Sequence, residues 1–185
     1  MKRTVSLIAA AALLFGFFGL FALPAAAAGS TAGYAAEVAA LVNAERAKAG
    51  LGPLGSLDSL SAAAKKRAGE LVRLYSHTRP GGRGCFTVLD DYGIEISAGA
   101  ENIAVGQDTP AEVMQAWMKS AGHKKNILGN YDRLGVGVHV KNGKIYWVQL
   151  FIRDKTASGG AAWRRWPPVA QWLARVFLFG WIWMR

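Results

Sequence analysis

The chain has 185 residues, with 22 Lys and Arg against 12 Asp and Glu, a net charge of +10, and a single cysteine. One thiol excludes an internal disulfide framework, so a packed core must hold the fold together. The basic charge is spread along the middle of the chain without a recognition-helix or stacking pattern. That excludes a nucleic-acid partner and leaves anionic envelope polymers or anionic lipid surfaces.

Residues 1–28 begin with Met1, Lys2 and Arg3, continue through an apolar run over 5–23, and end in Pro24 and an alanine cluster. A charged start, an apolar middle and Ala26-Ala27-Ala28 before Gly29 form a secretory signal with its cleavage site, or an uncleaved anchor. Either way the domain that follows is exported, to a secreted or extracellular location. Residues 29–33 read as a linker.

A helix is predicted over 34–49, with Val38, Leu41 and Val42 as its apolar stripe and Gly50 as its stop. Gly52, Pro53 and Gly55 make 51–57 a loop. A second helix is predicted over 58–75, where Leu60, Ala64, Ala68, Leu71 and Tyr75 follow the spacing of one buried face. The breaker sequence Ser76-His77-Thr78-Arg79-Pro80-Gly81-Gly82 ends it. A short helix over 86–92, ended by Gly93, and a short strand over 94–96 come next.

Thr109-Pro110-Ala111-Glu112 marks a helix start: Thr109 caps, Pro110 suits the first turn, and Glu112 reaches back to the cap N–H. This helix is expected to end near Gly122, just before His123. Residues 134–152 read as a β-hairpin around Asn142-Gly143. Its second strand is apolar on nearly both faces, so layers must cover both sides of the sheet. An α+β fold follows, a three-layer α-β-α sandwich with a small central antiparallel sheet. Residues 154–166 form a second linker. The tail over 167–185, with the residues just before it, holds five of the seven tryptophans, at 163, 166, 172, 181 and 183. Arg175 sits in its middle, so an interfacial helix suits the tail better than a spanning one.

The chain has three histidines. His77 and His123 fall at two helix ends, and Glu101 and Asn102 lie between them in a small-residue stretch. Two imidazoles and a carboxylate can hold a divalent metal such as zinc, pass a proton, or fix the loops that carry them. The spacings, 24 and 22 residues, match no local metal motif. Ser76 beside His77 raises a serine nucleophile, but no nucleophile elbow is present. Cys85 reads as a buried small hydrophobe, with nothing in the sequence to place it beside a histidine. His139 reads as a sheet-surface residue, and Trp117, Tyr146 and Trp147 as core or cleft wall.

Six ordered stretches carry a resemblance: LVNAERAKAGLGPL, SHTRPGG, AGAENIAVG, AWMKSAGHKKNIL, YDRLGVGV and YWVQLF. Together they resemble the CAP superfamily of cysteine-rich secretory proteins, antigen 5 and pathogenesis-related one proteins, in its bacterial secreted form, over residues 34–153. The resemblance implies the same α-β-α sandwich with a large central cleft. It implies that His77, Glu101 and His123 face one another there, with His77 and His123 as the candidate metal ligands. Eukaryotic members place a second acidic residue in the cleft. Asp90, Asp91 and Glu95 lie in the relevant stretch, and none aligns with that position. Asn102 is expected to order its loop through side-chain-to-backbone bonds. The leading expectation is a secreted binding module for a lipid, peptide or glycan, assisted by a divalent cation. A metal-dependent or His/Glu hydrolase and a structural protein with a vestigial cleft are the alternatives.

Overall fold

A computed structural model describes residues 29–155. The signal segment and the tryptophan-rich tail lie outside the described residues. The first helix, α1, spans Thr31–Lys48 and begins three residues before the expected position. The Ser30 side chain accepts from the Gly33 N–H at 3.0 Å, and this cap draws residues 31–33 into the helix. At the other end Gly50 takes φ +71°. Gly50 N–H reaches the Ala47 carbonyl and Leu51 N–H reaches the Arg46 carbonyl, closing a Schellman turn.

The second helix, α2, spans Asp58–Glu70, five residues shorter than the periodicity predicts. Leu71 is buried, but Tyr75 is exposed and does not extend the apolar face. The chain turns back because Arg67 holds the Ser76 carbonyl and Arg79 holds Glu70, which pulls residues 76–79 over the helix end. The expected short helix over 86–92 is two 3-10 turns, Cys85–Val88 and Asp90–Tyr92, and Gly93 closes the second at φ +63°.

The strand expected over 94–96 is instead β1, Ile96–Val105, so Glu101 and Asn102 lie in a strand and not in a loop. The next helix, α3, spans Pro110–Lys119, with the Thr109 hydroxyl accepting from Glu112 N–H. Glu112 bonds back one residue earlier than expected, to the N–H of Asp108 at 2.9 Å. Ser120 is extended, and α4 follows over Ala121–Ile127, so His123 lies inside a short second helix.

The hairpin consists of β2, Arg133–Lys141, and β3, Lys144–Asp154, turning through Asn142 and Gly143 at φ +51° and +73°. Two consecutive positive φ values fit a type I′ turn and match the strand twist. The sheet order is β1-β3-β2, all antiparallel.

Alternation along β3 builds both cores. Trp147 and Phe151 pack with Val38, Val42, Val113 and Trp117 beneath α1, α3 and α4. Val148, Leu150 and Ile152 pack with Leu60, Ala64, Ala68 and Leu71 beneath α2. The sheet is therefore covered on both faces, which is why its central strand is apolar throughout. Among the described residues no helix is long and apolar enough to cross a membrane.

Candidate functional site

The site lies at the free edge of β1, where the two helical layers meet. The pleat sends Glu101 toward α2 and Asn102 toward α4. Glu101 is almost fully buried, with 1% of its side chain exposed. Arg67, with no exposed side-chain surface, donates from Nε to Glu101 Oε2 at 2.8 Å and from Nη2 to Oε1 at 3.3 Å. His77 Nδ1 lies 2.8 Å from Glu101 Oε1, while 59% of the His77 side chain remains exposed.

The ion pairs continue away from β1. Arg67 Nη1 reaches Glu70, and Arg79 binds both Glu70 and Asp91. Lys66 also binds Asp91 at 2.9 Å. Burial pushes the Glu70 carboxyl up, but its bonds to Arg79 and Arg67 outweigh that and hold it below the usual range. Bonds from Lys66 and Arg79 hold Asp91 down as well.

On the other face, the Asn102 side chain donates to the His123 carbonyl at 3.2 Å and to Gln149 Oε1 at 2.9 Å. Asn126 donates to Asn102 Oδ1 at 2.8 Å and to the Glu101 carbonyl at 3.4 Å. Asn102 thus bonds side chain to backbone from within a strand, and it anchors α4 instead of a loop of its own. Burial, and then the charge on His77, hold the His123 imidazole below its ordinary value.

The structure therefore joins His77 to Glu101 directly, and sets His123 within electrostatic reach of His77. It does not bring Asp90, Asp91 or Glu95 to them. Asp91 is committed to Lys66 and Arg79, Asp90 is exposed, and Glu95 pairs with Lys155. Cys85 does lie by a histidine, since its N–H donates to the His77 carbonyl at 2.9 Å, which the sequence did not disclose. Burial, with Glu101 close by, pushes its thiol up to about 11, so it stays a poor nucleophile. The Ser76 hydroxyl accepts from Thr78 N–H in a local turn. His139 is half-buried on β2, close to Gly69 of α2. Trp117 and Trp147 are core residues, and Tyr146 packs at the margin of the α2-side core.

The divalent metal that the resemblance implies meets a poor donor set. Both oxygens of Glu101 serve Arg67 and His77, which leaves two imidazoles. Among the described residues no group of three or more His, Cys, Asp and Glu side chains is arranged to hold a metal ion. A site of three protein ligands plus an open position is not assembled. A cavity of about 400 Å³ lies elsewhere, between α1, α2 and β2, lined by Ala35, Ala39, Leu134 and Val136 among others. None of the three site residues lines it.

Sequence reasoning missed Arg67, Gln149 and Asn126. A signal existed for the first two. Arg67 occupies the apolar stripe of α2, between Ala64 and Leu71, where a charge must find a buried partner. Gln149 sits between the buried Trp147 and Phe151 on one face of β3, where a side-chain amide needs a polar neighbour. Asn126 carried no such signal.

The same architecture occurs in known proteins. The chain is 43% identical over 93 residues to the Bacillus subtilis (strain 168) protein YkwD, an alignment spanning 50% of this chain and 35% of that protein. It resembles the crystal structure of an extracellular SCP-domain protein from Bacillus anthracis str. Ames, with TM-score 0.61 and 26% identity over 66% of this chain and 41% of that one. An outer surface protein of Borrelia burgdorferi shares the fold, with TM-score 0.59 and 24% identity over 64% of this chain and 90% of that one. The model of the CAP, or cysteine-rich secretory protein, family matches residues 39–151. With that match across most of the two-core sandwich, this chain belongs to the CAP family.

Proposed function

We propose that this protein is an exported CAP-family binding module whose ligand contacts come from His77 and His123 at the β1 edge. The observation that carries this reading is the commitment of Glu101. Both its oxygens are engaged by Arg67 and His77, so the carboxylate orients an imidazole instead of facing a substrate. What faces outward is the remaining nitrogen of His77 on an exposed side chain. The ligand is an envelope lipid, peptide or glycan, and a divalent cation taking part would rest on the two imidazoles.

Export is supported by the N-terminal segment and by the extracellular description of the Bacillus anthracis relative. Attachment to the envelope is supported by the net charge of +10 and by the Trp-rich tail. The alternative reading is a hydrolase with His123 as general base. The downward shift of His123 favours it, since an unprotonated imidazole is what a general base requires at neutral pH.

The test compares the wild type with His77→Ala/His123→Ala against three probes: anionic phospholipid vesicles, soluble peptidoglycan fragments and a fluorogenic peptide mixture. Binding of vesicles or fragments that weakens in the double variant, without turnover, supports the module. Peptide turnover that vanishes in the variant replaces it with the hydrolase. Equal behaviour of both proteins toward every probe assigns the domain a structural role.

A further inference from the structure

Arg67 sits where no surface role is open to it, with 0% of its side chain exposed. Its guanidinium meets three separate pieces of chain. It grips both oxygens of Glu101 on β1, Glu70 one turn along α2, and the Ser76 carbonyl at 2.8 Å. Ser76 immediately precedes His77, so one side chain fixes the carboxylate that meets the ring and the backbone that carries it.

The consequence is chemical. A carboxylate paired with a guanidinium only accepts hydrogen bonds. The imidazole nitrogen 2.8 Å from Glu101 must therefore carry the proton, which makes it Nδ1–H. In the neutral ring Nε2 then presents a lone pair outward. If Glu101 were free to swing, the ring would take either tautomer.

We propose that Arg67 is the positioning residue of this site: by clamping Glu101 and Ser76 together it fixes His77 as the Nδ1–H tautomer and turns Nε2 outward as a hydrogen-bond acceptor. The ligand class follows, on the functional reading above. The neutral site suits a ligand that offers a donor there, a hydroxyl or an amide N–H, over one that offers a carboxylate or phosphate. Lysine cannot replace the arginine, because a single ammonium on a flexible stem lacks the planar fork that spans Glu101, Glu70 and Ser76.

The experiment is a long-range proton–nitrogen correlation spectrum of the imidazole rings in the whole exported chain at pH 8, with His77 assigned from His77→Gln. The wild type is expected to show His77 with its proton on Nδ1. Glu101→Gln should reverse the tautomer, because the amide keeps its oxygen toward Arg67 and turns its NH₂ toward the ring. Arg67→Lys should lower the Nδ1–H to Nε2–H ratio about tenfold, the loss of one charge-assisted bond. Should Arg67→Lys not fold, Glu70→Gln, which releases one of the guanidinium's bonds, should lower the ratio in the same direction.

A wild-type proton on Nε2 overturns the proposal, as does a folded Arg67→Lys, or failing that a Glu70→Gln, with the wild-type ratio. A purely structural Arg67 would move the melting temperature and leave the tautomer alone. If the protein holds the tautomer but binds none of the probes, the functional reading falls and this one stands.

Discussion

The two outer strands of the sheet are closed by opposite means. On β2, valines alternate with Gly135 and Gly137, and the α2 backbone presses directly onto those glycines. A Cβ at Gly137 would stand 2.0 Å from the Ala64 carbonyl oxygen, and one at Gly135 2.5 Å from that of Leu60. The edge is further capped where Gly55 N–H reaches the Asp132 carbonyl and Leu134 N–H reaches that of Gly55. On β1 the closure is polar. Arg67, His77 and Asn126 meet the strand through side-chain hydrogen bonds, Asn102 of the strand reaches out to the His123 carbonyl, and the edge stays half-open. At Gly135 and Gly137 the closure of β2 is helix backbone against strand backbone. Hydrogen bonding around the exposed His77 and the half-buried His123 leaves polar side chains at the β1 edge, the edge to which the proposed function assigns the ligand.

Breaking the charge on the β1 side should have the largest effect. Arg67→Met leaves Glu101 buried without its cation and should cost about 3–5 kcal/mol, read as a lower urea midpoint at unchanged slope. A loss below about 1 kcal/mol would mean that water reaches Glu101 and that the edge is not sealed by charge.

Breaking the steric closure comes next. Gly137→Ala should cost about 3 kcal/mol, the upper end for overpacking, because the obstructing atom belongs to a helix backbone and cannot rotate away. Wild-type stability in this variant would show that α2 slides over β2.

A milder change sharpens the contrast. Asn126→Ala removes a donor from Asn102 Oδ1 and should cost about 1–2 kcal/mol. Faster amide exchange should appear in α4 and β1 while the β2–β3 hairpin keeps its protection.

The smallest effect is a pH dependence. The His123 imidazole is held below its ordinary 6.5, so the folded protein takes up this proton less readily than the unfolded chain. Its contribution to stability is complete above pH 6.5 and declines as pH falls through the lower folded value. His123→Gln should flatten the melting-temperature curve in that acid window and leave it unchanged above. An equal slope in both proteins would place the acid sensitivity with other groups.

The contrast between the edges also explains what could be read in advance. The hairpin was legible because Asn142-Gly143 is a local instruction and the flanking residues alternate. The α3 cap was legible for the same reason. β1 was not: Ala98, Gly99, Ala100, Glu101 and Asn102 have weak strand preference. They form a strand because β3 offers a complete ladder, with Glu101 opposite Leu150 and Asn102 opposite Gln149. The end of α2 was over-extended because periodicity sees the apolar stripe and not the pull of Arg67 and Arg79 on the returning chain. The pairing of His77 with Glu101 was suggested by family likeness, and no spacing rule produced it.

Local chemistry in the sequence determined the helix caps, the hairpin turn, the two-sided apolar central strand and hence the layered α+β class. Those features depend on residues within a turn or two of one another, or on a period of two. The site was decided by tertiary structure. Arg67 and Glu101 are 34 positions apart and His77 and Glu101 are 24 apart. That both oxygens of Glu101 are taken by the Arg67 guanidinium and the His77 ring is settled when α2 packs over the sheet and each buried charge must find its partner.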